Sequence, residues 1–521
     1  MSDHFDLIIV GSGAGGATLA QRVAPTGKKI LILERGEHLP REVENWDPQT
    51  VFIDHKYRTK EQWFDRRGKP FTPNTHYWVG GNTSFYGAAL MRLRASDFGE
   101  VRHAGGISPA WPIDLAEMAP YYDEAERLWR VHGARGVDPT ETGTEPPYAF
   151  PAVQDDPGIA RLRSHFQGQG WTPFALPLGV NLDEAHPLTS ACIRCRTCGG
   201  YPCLLKAKSD ARTLAVEPLL GLPNVTLLTG RKVMRLETDP AGRTVTAVVC
   251  ETLQGEERWS GDMVALAAGA VNTACILLGS AGAAHPGGLA NSSDQVGRNY
   301  AFHTLTAMVS LTAAPVDTSF PKTLAVNDFY HKDPRGGFDF PMGHIQLLEY
   351  MSGKTLEGQV SAFLPPALVP DVFTNAMAHR LLSFLIISED LPLPDNRVRL
   401  LSDGRISLEY QHNNLEGHER LVQTLRSALD GFVDHAHPFS QHRLELDTLL
   451  PLYGTAHQVG TTRFGADPAS SVLDVNCKAH DLDNLYVVDS SFFVSSAAVN
   501  PTLTIVANAL RVGDHLKARL G

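Results

Sequence analysis

Long apolar runs, excess positive charge and cysteine are all scarce in this sequence. No run approaches the roughly 20 apolar residues that a membrane-spanning helix needs, so we expect no membrane span. The formal net charge of −11 argues against a surface for nucleic acid, which requires a positive patch. With 43% hydrophobic and 20% charged residues, the composition is that of a globular protein and excludes extensive disorder.

The N-terminal residues, MSDHFDLIIVGSGAGG, enter an apolar strand almost at once. They contain no basic segment and no small-residue cleavage site of the kind that marks a secretory leader. The sequence therefore predicts a cytoplasmic protein, whose cysteines stay reduced. Its 521 residues exceed what one hydrophobic core usually supports, which predicts two intertwined domains.

A glycine-rich motif joins the first apolar run to the first helix. The run DLIIV is followed by GSGAGGATLAQRVA and then by a second apolar run, KKILILERG. Gly11, Gly13 and Gly16 fit the pattern G-x-G-x-x-G, whose glycines permit a tight turn, close approach of a pyrophosphate and close helix packing. Glu34 ends the second run, where a carboxylate can accept hydrogen bonds from a ribose. The motif predicts binding of a dinucleotide, either NAD or FAD.

Segments of similar character recur later in the chain. Strands and helices alternate in the segment that starts at Asn224 and again in NLYVVDSSFFVSSAAVNPTLTIVANALRVGDHL. Residues 302–450 instead alternate like an antiparallel sheet, as in NRVRLLSDGRISLEYQ. We therefore predict an α/β fold with a discontinuous Rossmann-like nucleotide domain (residues 1–100, 200–301 and 451–521). An α+β substrate domain built on an antiparallel sheet would take residues 101–199 and 302–450.

Six motifs follow one another in the order of a known family. They are GSGAGG with Glu34, VGGNTSFYGAALMRLRASDF, LAAGAVNTACILLGS, NSSDQVGRNYAFH, HQVGTTRFGADPASSVLD and NLYVVDSSFFVSSAAVNPTLT. In this order, and over nearly the whole chain, they resemble the glucose–methanol–choline (GMC) family of FAD-dependent oxidoreductases. The resemblance implies that the nucleotide domain binds FAD rather than NAD.

The resemblance also assigns residues to the cofactor. The loop with the paired glycines would lie over the flavin and the pyrophosphate, Val233 would meet the adenine through its backbone, and Asp489 would approach the pyrophosphate. In some sugar-oxidising relatives a histidine shortly after those glycines is bound covalently to the flavin, whereas this chain has Phe85 there. We therefore expect non-covalent, dissociable FAD. The residues assigned to the cofactor are Gly11, Gly13, Gly16, Glu34, Gly80, Gly81, Asn82, Val233, Asp489, Pro501 and Thr502.

Two polar residues of the C-terminal motifs are candidates for catalysis. Oxidation of an alcohol by hydride transfer to flavin N5 requires the hydroxyl proton to leave, and a neutral histidine suits that step because its reference pKa is about 6.5. In the family this histidine opens the motif H-x-x-G-T, which here is His457 in HQVGTT. The second polar residue precedes the Pro-Thr of the final loop and is Asn500. The resemblance implies that His457 is the base and that Asn500 holds the substrate oxygen.

Two further segments bear on the substrate. SPAWPIDLAEMAPYYDEAE and TCGGYPCLLKAKSDA resemble segments of pyranose oxidases and bacterial glycoside 3-oxidases (C-glycoside oxidases). The resemblance implies oxidation of a secondary ring hydroxyl of a sugar or glycoside, with the flavin reoxidised by oxygen or a quinone-type acceptor. In PMGHIQLLEY, His344 and Gln346 are candidates for binding sugar hydroxyls, although they also suit an ordinary alternating strand.

Two other functions stay open at this point. One is a sugar or polyol dehydrogenase that passes electrons to a protein partner. The other is a lyase of the same fold, which would bind FAD without redox turnover.

Four of the seven cysteines lie close together in residues 191–203, ACIRCRTCGGYPC. The spacing C-x2-C-x2-C-x4-C is near that of ferredoxin ligands, but the last interval is longer and a proline precedes the last cysteine. A zinc site usually takes two separated C-x2-C pairs, which this run lacks. We predict no metal and a structural loop with reduced thiols or one disulfide, with an iron–sulfur cluster and zinc as alternatives. The four residues are Cys192, Cys195, Cys198 and Cys203.

Overall fold

A computed structural model describes residues 4–312, 314–360, 371–432, 448–454 and 456–521. Within these ranges the helices α1 to α8 are Ala14–Val23, Leu115–Leu128, Pro157–Gly168, Ala270–Gly279, Gly353–Val360, Asp371–Ala378, Leu415–Ala428 and Thr502–Leu520. The strands β1 to β22 are His4–Val10, Ile30–Leu33, Trp63–Asp65, Pro70–Phe71, Val101–His103, Gly106–Ser108, Val131–Gly133, Phe150–Pro151, Phe174–Ala175, Leu178–Gly179, Val225–Leu228, Lys232–Thr238, Val245–Thr252, Gly255–Leu266, Thr304–Leu311, Leu324–Val326, His344–Leu347, Leu381–Ser388, Arg397–Leu400, Ile406–Glu409, Thr448–Leu449 and Leu485–Val487. None of the described helices combines the length and the apolar composition that crossing a bilayer requires.

The largest sheet has the layout of a doubly wound α/β domain. Its seven strands include the path β11-β2-β1-β14-β13-β12, and β22 pairs with β14 beside that path. β11, β2, β1, the second half of β14 and β22 run parallel. All four residues of β2 are buried, as expected of a parallel strand covered on both faces. The carboxyl ends of these strands meet at one edge, which is where such sheets bind ligands.

Glycines allow helix α1 to begin directly against this edge. Gly11 adopts a positive φ of 103°, and a Cβ there would overlap the carbonyl group of Ala267. A Cβ on Gly16 would overlap the carbonyl oxygen of Gly11, so this position needs glycine for packing. The far end of α1 is joined to α8 by an ion pair of 2.6 Å between Arg22 and Asp514. These contacts fix the N-terminus of α1 beside the ends of β1 and β14.

A second sheet forms the antiparallel part of the fold. Its strand order is β21-β15-β18-β17-β16-β9, and every pairing is antiparallel. One face packs against α3 and α7 through an apolar core that includes Met308, Phe384 and Leu421. The opposite face carries Leu305 and Leu385, which belong to a separate apolar cluster. The second face is therefore available to form the wall of a cavity.

One small sheet joins segments that the sequence analysis assigns to different domains. Its order is β19-β20-β3-β4, and β3 pairs with β20 in parallel. The antiparallel pairing of β19 with β20 agrees with the alternation in NRVRLLSDGRISLEYQ. The domain boundaries stay a prediction.

Candidate active site

A cavity of about 840 Å³ lies between the carboxyl edge of the parallel sheet and the open face of the antiparallel sheet. Most of the residues predicted for the site line it. They are Gly11, Gly13, Glu34, Gly81, Asn82, Val233, Gln346, His457, Asp489, Asn500, Pro501 and Thr502. The cavity wall does not include Gly16, Gly80 or His344. Each of these three packs instead behind a residue that does line the cavity.

The nucleotide end of the cavity offers backbone groups. Gly13 is the N-cap of α1 and Gly269 is the N-cap of α4, and both line the cavity. A Cβ on either glycine would meet no atom within 4 Å, so open space lies beside both helix N-termini. Helix N-termini bind phosphate because their N–H groups and their dipoles favour negative charge. This space fits the pyrophosphate of a dinucleotide, and Val233 lies nearby where the register of β12 is irregular.

Two buried carboxylates shape this end and are satisfied by the protein itself. Glu34 accepts hydrogen bonds from Ser12 N at 3.0 Å and from Gly36 N at 2.8 Å. Asp489 accepts one from Gly269 N at 2.9 Å. Burial raises the pKa of both carboxyl groups, although these hydrogen bonds oppose the effect. The two side chains hold the glycine-containing turns in place at the edge of the cavity.

The loop at residues 80–85 forms another part of the wall. Gly80, the first residue of this loop, has a φ of 94° and lies behind the cavity wall, where its N–H donates to the hydroxyl of Ser12 at 3.1 Å. Asn82 Oδ1 accepts a hydrogen bond from His76 N at 2.9 Å. The ring of His76 stacks on Phe85, with 3.8 Å between ring centroids. The phenyl ring, at the position that the sequence analysis matches to a flavin-linked histidine, is thus packed against the ring of His76.

His457 is held by a second histidine, His303, which directly precedes β15. His303 Nε2 lies 2.8 Å from the carbonyl oxygen of Ser496, and its Nδ1 lies 3.1 Å from Nδ1 of His457. A carbonyl only accepts, so Nε2 of a neutral His303 carries the proton and its Nδ1 is an acceptor. Nδ1 of His457 must then donate to His303. This chain of contacts selects the tautomer in which Nε2 of His457 is unprotonated.

Burial keeps both histidines neutral. It lowers the pKa of His457 to about 4 and the pKa of His303 to about 3. For His303, the neighbouring ring of His457 also lowers the pKa. Both rings are therefore uncharged at neutral pH. A neutral imidazole in the cavity wall with an unprotonated Nε2 has the form that a general base requires.

Asn500 lies on the loop that leads into α8. Its Oδ1 is buried and has no hydrogen-bond partner among the described residues. Buried polar atoms in native proteins are nearly always hydrogen-bonded, so an exception in a cavity wall indicates a group that a ligand completes. Together with the space beside Gly13 and Gly269, this unpaired oxygen shows that the residues present fit a flavin dinucleotide and a polar substrate.

His344 and Gln346 lie two residues apart on β17, on the same face of the antiparallel sheet, but only one of them reaches the cavity. Gln346 lines the cavity, whereas His344 is fully buried behind it. Nδ1 of His344 lies 2.7 Å from Asn327 Oδ1, and Nε2 lies 3.1 Å from the amide of Gln346. Burial lowers the pKa of His344 to about 4. The geometry brings Gln346 to the site and leaves His344 as a residue that orients it.

The cysteine-rich loop, residues 191–203, lies against the same wall. Gly200 lines the cavity and its N–H donates to the carbonyl oxygen of Phe85 at 2.6 Å. The ammonium group of the fully buried Lys208 donates to the carbonyl oxygens of Cys198 at 2.9 Å and Tyr201 at 2.7 Å. All seven cysteines have free thiols, and no three His, Cys, Asp or Glu side chains of the described segments group as metal ligands would. The loop is thus fixed beside the cavity by hydrogen bonds.

Comparisons with known proteins agree with this geometry. Residues 9–59 match the NAD(P)-binding Rossmann-like domain, and residues 392–509 match the family described as GMC oxidoreductase. The 6'''-hydroxyparomomycin C oxidase of Streptomyces lividus is 32% identical to the chain. The match covers 99% of this chain and 92% of the relative. The chain belongs to the GMC oxidoreductase family.

Two further proteins match nearly the whole length of this GMC oxidoreductase. Paromamine 6'-oxidase of Streptomyces fradiae is 31% identical and covers 97% of this chain and 90% of the relative. The crystal structure of pyridoxine 4-oxidase from Mesorbium loti is 18% identical, with a TM-score of 0.68 over 98% of this chain and 99% of that one. The solved structure establishes a shared fold.

These matches confirm several predictions from the sequence. This GMC oxidoreductase has the predicted α/β fold, a discontinuous Rossmann-like FAD-binding domain with an α+β domain on an antiparallel sheet. It is an FAD-dependent enzyme that acts on CH–OH groups. None of the relatives named above is a lyase. The roles of individual site residues stay predictions.

Sequence reasoning missed two residues of the site. His303 is the last residue of NSSDQVGRNYAFH, a motif that carries the family resemblance but received no catalytic role. Its position immediately before a strand is the signal that could have placed it at the edge of the sheet. Glu349 follows His344 and Gln346 in PMGHIQLLEY, and its side chain also lines the cavity.

Proposed function

We propose that this enzyme oxidises a hydroxyl group of a sugar or an aminoglycoside, with His457 as the base. The observation that carries the proposal is the contact chain from Ser496 through His303 to His457, which leaves an unprotonated Nε2 in the wall of an FAD-sized cavity. The two relatives named as oxidases of paromamine and 6'''-hydroxyparomomycin C support this class of substrate.

Each residue has a separate task in this proposal. Bound FAD would supply the hydride acceptor for the substrate carbon. His457 Nε2 accepts the proton of the substrate hydroxyl, and His303 keeps His457 in the tautomer that can do so. The NH₂ group of Asn500 donates to the substrate oxygen, which holds that oxygen within reach of His457. Gln346 contacts a more distant polar group of the substrate from the sheet.

The proposed carbon is one that bears a secondary ring hydroxyl, so that the product is a ketone. Oxygen or a quinone-type compound is the proposed electron acceptor. We also propose that FAD is dissociable, because Phe85 stands where a histidine would form the covalent link. A cytoplasmic location stays a prediction.

An anaerobic visible spectrum of the purified holoenzyme tests the proposal. Spectra are recorded before and after addition of monosaccharides, glycosides and aminoglycosides, and the product is then identified by mass spectrometry and NMR. Bleaching of the flavin bands by one of these sugars, with formation of a ketone, is the expected result. An aldehyde would keep the reaction class but move it to a primary hydroxyl.

Two outcomes would overturn parts of the proposal. Bleaching only by alcohols that are not sugars would remove the substrate class. No bleaching by any alcohol, with flavin present, would remove the redox function. Denaturation followed by filtration tests the cofactor linkage, since non-covalent FAD passes through the filter and covalent FAD stays with the chain.

A further inference from the structure

Glu349 is a carboxylate in the cavity wall that the proposed mechanism does not use. It follows β17, and about a fifth of its side chain, 21%, is exposed. Two glycines make room for it, because a Cβ on Gly87 or on Gly199 would overlap the carboxylate. The described part of the chain supplies no hydrogen bond to either of its oxygens. Within the described ranges its one charged partner is Lys322, whose Nζ lies 3.8 Å from Oε1.

A structural role as counter-ion of Lys322 does not account for this geometry. Lys322 is fully buried, and its ammonium group donates to the carbonyl oxygen of Gly87 and to Cys198 Sγ at 3.1 Å. A separation of 3.8 Å is too long for a hydrogen bond to Glu349. The carboxylate therefore compensates the charge of Lys322 at a distance and keeps its hydrogen-bonding capacity for the cavity.

Gln346, which also lines the cavity, supplies a second acceptor. Asn327 is oriented by Asp138, because its Nδ2 donates to Asp138 Oδ2 at 2.8 Å, so Asn327 Oδ1 faces His344. The neutral ring of His344 uses its single N–H, on Nδ1, for this oxygen.

Nε2 of His344 is then an acceptor and needs a donor. The structure places Gln346 Oε1 3.1 Å from this nitrogen. Two acceptors cannot form a hydrogen bond, so the amide must be reversed, with its NH₂ group donating to Nε2. Its carbonyl oxygen is then turned toward the cavity.

Two acceptors in one cavity wall favour a ligand group that is rich in hydrogen-bond donors. An ammonium group offers three N–H donors and no acceptor, and its hydrogen bond to a carboxylate is charge-assisted. A hydroxyl offers one donor and no charge. We infer that Glu349, assisted by Gln346, binds the ammonium group of an amino-sugar substrate. This inference rests on the proposed function and names the substrate class of the same site.

Because of the charges around Glu349, removal of its carboxylate should weaken the binding of an amine more than the binding of a neutral substrate. Lys322 is the nearest cation, and without Glu349 its positive charge would face the substrate uncompensated. Arg58 also lines the cavity, but its guanidinium donates to the carbonyl oxygens of Thr72, Pro73 and Tyr453. A substrate without a positive charge would not respond to either cation in this way.

The test compares paromamine with its fully N-acetylated form in the holoenzyme at pH 7. Acetylation removes the positive charge. The rate and the concentration dependence of anaerobic flavin reduction are measured for the wild type, Glu349→Gln and Glu349→Asp. We expect Glu349→Gln to raise the half-saturating concentration for paromamine at least tenfold, with a small change in the limiting rate. The same variant should change the value for the acetylated compound less than twofold, and Glu349→Asp should restore part of the loss.

Controls separate this inference from the proposed function. Glu409→Gln removes a carboxylate that pairs with Arg399 in the small sheet and should change neither compound's kinetics. Equal losses for both compounds in Glu349→Gln would show that the carboxylate serves the fold, and would overturn the inference. Flavin reduction by neutral sugars but not by paromamine would also overturn it while leaving the proposed function intact. Failure of every sugar would overturn the proposed function itself.

Discussion

The two ends of the cavity differ in how their polar groups are satisfied. At the nucleotide end, Glu34 and Asp489 accept hydrogen bonds from backbone N–H groups close to them. At the substrate end, within the described residues, Asn500 Oδ1 has no partner and Glu349 accepts no hydrogen bond. A buried polar group left without a partner costs about 1–3 kcal/mol. The carboxylates of the cofactor end are thus satisfied within the protein, whereas polar side chains of the substrate end need a ligand to complete them.

This difference matches the two tasks. A cofactor that stays bound needs a fixed frame, and backbone groups of glycine turns provide it. A substrate that binds and leaves needs groups whose hydrogen bonds change in every cycle. Variants at each end should therefore affect different properties, and four of them test the comparison.

Replacement of the base should have the largest effect. His457→Ala removes the acceptor of the hydroxyl proton, and we expect flavin reduction to slow by about 10² to 10⁴. The FAD content should not change, because the nucleotide end is intact. Rapid-mixing measurements of anaerobic flavin reduction give the rate, and the absorbance ratio of flavin to protein gives the content. Wild-type rates in this variant would assign the base elsewhere.

Replacement of the histidine behind the base should have the next largest effect. His303→Ala removes the acceptor for His457 Nδ1, and loss of a residue that orients a reacting imidazole typically costs about 10- to 100-fold. Water would also reach His457, so its pKa should rise from about 4 toward the ordinary value of about 6.5. Because His457 works unprotonated, wild-type flavin reduction should be constant between pH 6 and 8, and the variant should lose activity over that range as pH falls.

His418→Ala is a matched control for that variant. His418 is also buried, on helix α7 where it packs against the antiparallel sheet, and its ring contacts the hydroxyls of Thr306 and Ser388 at 2.7 and 2.9 Å. Its loss should lower the melting temperature without moving the pH profile. If both variants shift the profile equally, the effect of His303 is one of general packing.

A substitution at the nucleotide end should weaken cofactor binding without weakening the fold. Gly13 has a φ of −70°, and an added Cβ would meet no protein atom within 4 Å. Gly13→Ala should therefore leave the melting temperature of the FAD-free protein unchanged. Its methyl group would occupy the space proposed for the pyrophosphate, so the Kd for FAD should rise about tenfold, or about 1.4 kcal/mol.

Titration of FAD into the FAD-free protein measures that Kd. Gly168→Ala, at the end of α3 and equally free of neighbours, should leave it unchanged. A Gly13→Ala protein that binds FAD as tightly as the wild type would show that the cofactor does not approach this turn.

The smallest effect concerns stability. Asn500→Leu removes an amide oxygen that has no partner, so the FAD-free protein should change by less than about 1 kcal/mol in its free energy of unfolding. Asn484→Leu removes an amide of similar burial whose atoms bond to Val245 and Asp262, at distances of 2.8 to 3.0 Å. This second variant should lose about 2–4 kcal/mol. Urea unfolding compares them, and equal losses would contradict the view that the substrate end is incomplete.

The sequence predicts the nucleotide end well because its parts are close together in the chain. Gly11, Gly13 and Glu34 belong to one strand–turn–helix–strand unit, whose local pattern determines its geometry. His303 and His457 are 154 residues apart and meet only because β15 begins beside the C-terminal loops. No spacing rule relates two such residues.

The same reason applies to the antiparallel wall. The alternation in PMGHIQLLEY identifies a strand, but it does not show that Gln346 reaches the cavity while His344 stays buried behind it. That distinction depends on Asn327 and Asp138, which lie on other segments. For the cysteines, the spacing alone did not reveal that Lys208 and Lys322 hold the loop through hydrogen bonds.

The close packing of Gly87 and Gly199 around Glu349 links three segments that are far apart in sequence. A side chain larger than glycine at either position would displace the carboxylate. A laboratory chimaera that receives the cysteine-rich loop of another family member would therefore need a matching residue at position 349. On the proposal that Glu349 binds the substrate, a larger residue at Gly87 or Gly199 should also weaken substrate binding.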